Sequence, residues 1–347
     1  MGKKISGLSR RNFLKGTAAA IGLGSVSAFP FSNAFAADFP AHDLDVVVPT
    51  RAGGGADRAL RAYAGVWKKY IKADIKPSFY PGAGGQVGYQ IYLGKKTPDC
   101  HNLLFGNMGP ETIMYVLQKP EYKFPGDYVY FARVDVEPCA IWVRADSPFK
   151  SIENLVEESK KRVINMSVSR MPHPASIGAL ALAEATGAKF NLIPYGGGNP
   201  TVVAVMTGEV EASSFPMAGP VSMKEQVRIL GLFSHKNPIP ERSNKAPAVN
   251  DVFGTKIPDL PSSRAFGLHT KAIEKYPERF EILKESIKKV FPDPEYKAAW
   301  EKTGRPWEFI SYADQAVCME YAQNMIDLAN RFHALLSAKK APKKKKK

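Results

Sequence analysis

The chain of 347 residues has three cysteines, Cys100, Cys139 and Cys318, too far apart for any metal or redox spacing. Two of them can pair in an oxidising compartment, or all can be buried thiols; the sequence does not choose. Its six histidines show no HExxH-like grouping, so neither a metal nor a metal-dependent cofactor is expected. No Gly-x-Ser-x-Gly elbow marks a nucleophilic serine. No glycine loop carries the Lys-Ser/Thr pair of a phosphate-binding P-loop. Beyond the N-terminal region no apolar run is long enough to span a bilayer.

An excess of one charge is missing too, once the ends are set aside. The formal net charge is +15, but Lys3, Lys4, Arg10, Arg11 and Lys15 stand before residue 37, and Lys339, Lys340 and Lys343 to Lys347 close the chain, with no acid in either stretch. The body holds 36 basic residues against 33 acidic ones, a net +3. That balance excludes nucleic acid as the expected partner and gives little pull toward an anionic membrane. The lysine tail from 338 to 347 reads as a disordered, solvated end.

Ser9-Arg10-Arg11-Asn12-Phe13-Leu14-Lys15 has the form of a twin-arginine export signal, and an apolar run from Ala18 to about Phe31 follows it. Ala34-Phe35-Ala36 offers small residues for cleavage, so residues 1–36 read as a signal peptide removed near Ala36/Ala37. The expected destination is the periplasm, as a soluble monomer.

Within the mature chain a β-branched run, Leu44 to Val48, stops at Pro49, and Gly53-Gly54-Gly55 leads into a helical pattern. Leu60, Tyr63, Ala64, Trp67 and Ile71 share one face of that helix. A strand, a glycine turn and a helix start together offer unpaired N–H groups and the positive end of a dipole, which suit an anion. Tyr80 to Gly88 repeats the device, and Leu103 to Phe105 runs into a third polar strand end at Gly106-Asn107. The apolar stretch Phe131 to Val143, interrupted by Asp135, Glu137 and Pro138, reads as the passage into another domain. There, a second strand–helix series begins at Val163 to Val168, feeds the loop Ser169 to Ser176, and continues through Asn191 to Pro194, Glu211 to Phe215 and Arg228 to Phe233. Ala265 to His269 reads as a strand returning to the first domain. Three helical stretches, Ile273 to Val290, Pro294 to Thr303 and Ser311 to about Leu336, finish the chain, the last capped by Ser311. Two blocks of alternating strands and helices imply an α/β protein with two mostly parallel sheets and a cleft between them. The expected boundaries are 37–140 with 263–337 for domain I and 141–262 for domain II.

These motifs, in this order, resemble the extracytoplasmic receptors of tripartite tricarboxylate transporters, the Bug family. The likeness rests on Val48-Pro49-x-x-Ala52-Gly53-Gly54-x-x-Asp57, Pro81-Gly82-Ala83-Gly84-Gly85-x-x-Gly88, Pro98-Asp99, Val163 to Ser169, Pro194-Tyr195-x-Gly197 and Gly208-Glu209-Val210. It implies a two-domain periplasmic binding protein clamshell (type II-like) that captures a small organic anion and hands it to integral membrane transporter subunits, without cofactor or catalytic residue. By the family pattern one jaw takes Thr50, Arg51, Ala52, Gly53, Gly54, Gly55, Ala56 and Asp57 from the first loop, Gly82, Ala83, Gly84 and Gly85 from the second, and Asn107. The other takes Ser169, Arg170, His173, Ala175 and Ser176, with Tyr195, Ser214 and Phe215. Three features depart from the pattern. The loop Ser169 to Ser176 is bulkier than the family's Ser-x-Gly-x-Gly-Ser/Thr, Thr50-Arg51 stands where an apolar or aromatic residue is usual, and Ser214 or Phe215 replaces an aspartate. Arg51 and Arg170 on opposed loops predict a ligand richer in charge or oxygen than a monocarboxylate, because a guanidinium grips a carboxylate or sulfonate through two parallel hydrogen bonds.

Two other functions fit parts of the chain. A periplasmic enzyme exported folded would use the twin-arginine route; Gly82-x-Gly84-x-x-x-Gly88 is one residue off a dinucleotide fingerprint, and Ser169 with His173 pairs a nucleophile with a base on one loop. An adaptor using the basic tail would leave both glycine loops unexplained.

Overall fold

The computed structural model describes residues 39–337. The export signal with its cleavage point, and the lysine tail from 338 onward, lie outside the described residues.

Strand β1 (Leu44–Val48) buries Leu44, Val46, Val47 and Val48 completely, as befits a strand covered on both faces. The glycine loop turns into α1 (Gly55–Ile71), whose inner face packs Leu60, Tyr63, Val66, Trp67 and Ile71. Next come β2 (Ile75–Phe79), a 3-10 turn at Ala83–Gly85, α2 (Gln86–Lys95), β3 (Asn102–Asn107) and α3 (Met108–Gln118). β1 lies between β2 and β3 and is parallel to both. Pro77 is tolerated in β2 because that strand is at the sheet's edge.

The passage predicted at Phe131 to Val143 is one strand of 17 residues, β4 (Tyr128–Arg144). Beyond it come α4 (Ile152–Lys161), β5 (Ile164–Val168), α5 (Pro174–Thr186), β6 (Phe190–Pro194), α6 (Gly198–Met206), β7 (Ala212–Pro216), α7 (Ala218–Val221), β8 (Val227–Leu232) and α8 (Val249–Phe253). β5 lies between β6 and β7, parallel to both, so the second block mirrors the first. The return strand β9 (Pro261–His269) is followed by α9 (Thr270–Lys275), α10 (Pro277–Lys288), α11 (Pro294–Glu301), β10 (Ile310–Ala313), α12 (Gln315–Arg331) and α13 (His333–Ser337).

The joining strands are antiparallel. β9 pairs with β3 and with β4 from Tyr128↔His269 to Pro138↔Pro261. From Cys139 onward β4 changes partners to β7 and β8. The strand order is β2-β1-β3-β9-β4-β7-β5-β6, with β8 and β10 also on β4. Each half is thus three parallel strands with helices, set on an antiparallel spine.

The C-terminal helices depart from expectation. Pro277, which lacks an N–H and opens α10, divides the stretch from Ile273 into two helices. Ser311 is not a helix cap: it lies in β10, held to β4 by Arg133, which donates to its carbonyl (3.1 Å) and its Oγ (2.9 Å). Asp314 is the cap, its carboxylate accepting from the Val317 N–H at 3.2 Å. All three cysteines are free and buried. Among the described residues no helix is long and apolar enough to cross a membrane.

Candidate functional site

Parallel strands deliver their carboxyl ends, and the helix starts that follow, to one side of a sheet. Here the two blocks present those edges to each other, and a cavity of about 840 Å³ lies between them. Thr50, Arg51, Ala52, Gly54, Gly55 and Ala56 line it from the β1–α1 loop, Gly82 to Gly85 from the turn before α2, and Asn107 from the end of β3. Ser169, Arg170, His173 and Phe215 face them from the second block, joined by Gly196 to Asn199 at the start of α6. Gly54, at the N-cap of α1, has no side-chain oxygen to offer, so the first amides of that helix stay open to a ligand. Gly84 has φ +69°, a conformation that strains any side chain, although a Cβ there would meet Met114 (3.4 Å) and Pro172 (3.8 Å) only at ordinary contact distance.

Six predicted contacts serve the loops instead of lining the cavity. Asp57 accepts from the Gly53 N–H (2.7 Å) and from Arg61 (2.6 Å), closing the first loop on itself; Asp57 is buried by this and Gly53 stays exposed. Ser176 donates to the Arg170 carbonyl (2.9 Å), and Ser214 to that of Ala175 (2.7 Å), so all three hold the second-block loop in place. Tyr195 points its hydroxyl at Glu209 (2.8 Å).

The two arginines singled out from the sequence part company. Arg51 lines the cavity from an exposed position. Arg170 is spent on the opposite wall: it donates to the Gly84 carbonyl and lies 3.8 Å from Glu111 Oε1. Glu111 has no exposed surface and accepts from Tyr89 (2.7 Å) and Asn107 (3.4 Å). Burial pushes its carboxyl up to about 7, although Arg170, Tyr89 and Asn107 all favour the charge. Asn199 adds a second bridge, donating to the Gly53 carbonyl (3.1 Å) and accepting from Arg58 (3.4 Å). The rims touch at these points, as in a closed clamshell.

His173 caps α5, its Nδ1 accepting from the Ala175 N–H at 3.0 Å. Burial, reinforced by Arg170 and Arg264, holds this imidazole well below its ordinary pKa. It is therefore neutral, and because Nδ1 accepts from Ala175 its proton is on Nε2, which leaves no free lone pair to take a proton from Ser169.

Sequence reasoning missed the charged floor. Glu137, Arg264 and Arg305 all line the cavity and are all buried. Arg264 donates to Asp135 and to Glu137 (2.7 Å), and its own backbone N–H reaches Asp135 at 2.9 Å. Glu137 also accepts from the Ala218 N–H at 2.8 Å. Against the burial that raises it, Arg264 and Arg305 hold the Glu137 carboxyl below its ordinary pKa. The signal was present: Asp135 and Glu137 interrupt an apolar run and share one face of a strand, and two buried acids require cations. Which cations answer them is a matter of tertiary structure.

Residues 75–336 match the family model described as the tripartite tricarboxylate transporter family receptor. The chain belongs to this family. An Agrobacterium vitis protein of the TAR-I ttuE-ttuC' intergenic region is 26% identical over 179 residues, half of each chain. Among solved structures, this receptor superposes on MatC of Rhodopseudomonas palustris with bound malate (TM-score 0.69, 18% identity, 86% of this chain and all of that one). It also superposes on an R. palustris protein with adipate (TM-score 0.74, 15% identity, 86% and 98%). At those identities the likeness speaks for the fold, which is the two-domain clamshell of periplasmic binding proteins.

Proposed function

We propose that this receptor captures a small organic anion, a carboxylate with more than one charged or oxygen-rich group, in the cavity between its blocks and delivers it to membrane transporter subunits. The jaws are residues 37–140 with 263–337 and residues 141–262. The observation that carries this reading is the convergence of helix starts and glycine turns from both blocks on one cavity that also holds buried arginines. Malate and adipate in two structures of the same fold support the ligand class. Binding without chemistry is favoured over catalysis because His173, the one imidazole lining the cavity, has its unprotonated Nδ1 engaged by the Ala175 amide and no free lone pair left to act as a base.

A thermal-shift screen of organic acids tests the reading. A true ligand at 100 times its dissociation constant is expected to add about 2.7 kcal/mol of stability. Gly84→Val is expected to abolish that gain, since a β-branched residue is strained at the positive φ of the turn and puts bulk where a ligand must approach the backbone. A valine variant that folds and is stabilised as well as the wild type would remove the glycine turn from the site. The twin-arginine segment supports export of the receptor to the periplasm. Arg10→Lys with Arg11→Lys is expected to strand the precursor in the cytoplasm, and normal periplasmic accumulation on fractionation would assign the segment to general secretion.

A further inference from the structure

Arg305 follows α11 in the chain, and Trp300 anchors its loop by donating from Nε1 to the Pro306 carbonyl at 2.8 Å. Its guanidinium lies 5.7 Å from the centroid of the Trp300 ring and against the first turn of α1. A Cβ added to Gly55, the opening residue of that helix, would sit 2.7 Å from Arg305 Nη2 and 3.3 Å from Arg264 Nη2. Any side chain at residue 55 would displace the end of Arg305 from this position.

Arg305 is 5% exposed and lines the cavity, yet it makes no hydrogen bond with the described residues, and its Nη1 is fully buried and unpartnered. The nearest acid oxygen, Glu137 Oε1, is 3.8 Å away and already accepts from Arg264 at 2.7 Å, while Glu137 Oε2 accepts from Ala218. A buried guanidinium whose donors go unused is costly unless something else supplies acceptors. The positive end of α1 lies beside it, and Arg264 and Arg58 add positive charge close by. Glu137 and Asp135 oppose an incoming anion, but Arg264 already engages both, and the planar fork of arginine matches a carboxylate.

We propose that Arg305, seated at the first turn of α1, is the ligand-binding side chain that takes a carboxylate group of the captured anion. The assignment rests on the receptor function proposed above and names the residue that function lacks. Glu137 and the Trp300 ring flank the guanidinium and leave its donors to the ligand. Gly55 is glycine to let it approach.

Calorimetric titration with malate, succinate, adipate and hexanoate tests this on the wild type, Arg305→Lys, Arg305→Met and Gly55→Ala, with melting temperature recorded without ligand. The wild type is expected to bind at least one of these acids. Arg305→Lys is expected to weaken it about tenfold or more, since the lysine loses the paired hydrogen bonds, and Arg305→Met further still. Gly55→Ala is expected to weaken the same acid by displacing the guanidinium while leaving its charge in place. If Arg305→Met fails to fold, the lysine and alanine variants carry the test. Wild-type affinity in both of those would overturn the assignment and leave the receptor function standing. A wild type that binds none of the four acids would overturn the carboxylate reading and the assignment together.

Discussion

Arg264→Met is expected to lower the folding stability of the receptor by about 3–5 kcal/mol, the cost of breaking a buried ion pair from one side. The side chains of Arg264, Asp135 and Glu137 are 6%, 1% and 2% exposed, so water replaces nothing that the substitution removes. Methionine fills much of the volume but supplies no donors, and only Arg305 remains to face two acids. Urea unfolding would show the loss as a lower midpoint at unchanged slope. Two accompanying results identify the cause. Adding Asp135→Asn to Arg264→Met should recover part of the loss. The deficit should also shrink at acid pH: without Arg264 the two carboxyls have folded-state pKa values above their unfolded ones, so protonation relieves the folded state. A deficit that stays below about 1 kcal/mol at neutral pH, in the range of ordinary surface changes, would mean that the cluster adds nothing to the fold.

Glu111 gives the second large effect. Burial raises its carboxyl from an ordinary 4.5 to about 7. Below pH 4.5 both folded and unfolded chains hold this proton. Between 4.5 and 7 only the folded chain does, so stability falls as the pH rises through that window and levels off above it. A shift of this size corresponds to roughly 3 kcal/mol. Glu111→Gln keeps the shape and never ionises. The variant is expected to match the wild type near pH 4 and to exceed it by up to about 3 kcal/mol at pH 8. Parallel stability curves for the two proteins across the window would rule out Glu111 as the source.

Much of the fold was legible because the signals were local. The face of Leu60, Tyr63, Trp67 and Ile71 fixes α1, and the glycine loops that interrupt the strands announce the cleft edge. The spine was harder. β10 is four residues with no period of its own and exists because β4 lends it partners, so Ser311 looked like a cap. The site divides along the same line. Glycine loops are written in consecutive residues, and most of their predicted contacts do line the cavity. Arg305 comes from a short segment between α11 and β10 that nothing in the sequence ties to Gly55, and only packing brings the two together. Arg170 was noticed for its charge, but its partner Glu111 lies on a helix of the other block.

The pairing of β3 with β9 sets an order on how the chain acquires its structure. Leu104 finds Gly267, and Tyr128 finds His269, only after the whole second block has been synthesised. Contacts so distant in sequence must meet the cost of closing a long loop before they repay it, which makes for slow folding. The block between them, from β5 to β8, is assembled from nearer neighbours and can condense first. The opening strands β1 to β3 therefore wait with an unpaired edge until β9 arrives, and this interval is when the newly made receptor is most open to aggregation and to chaperones.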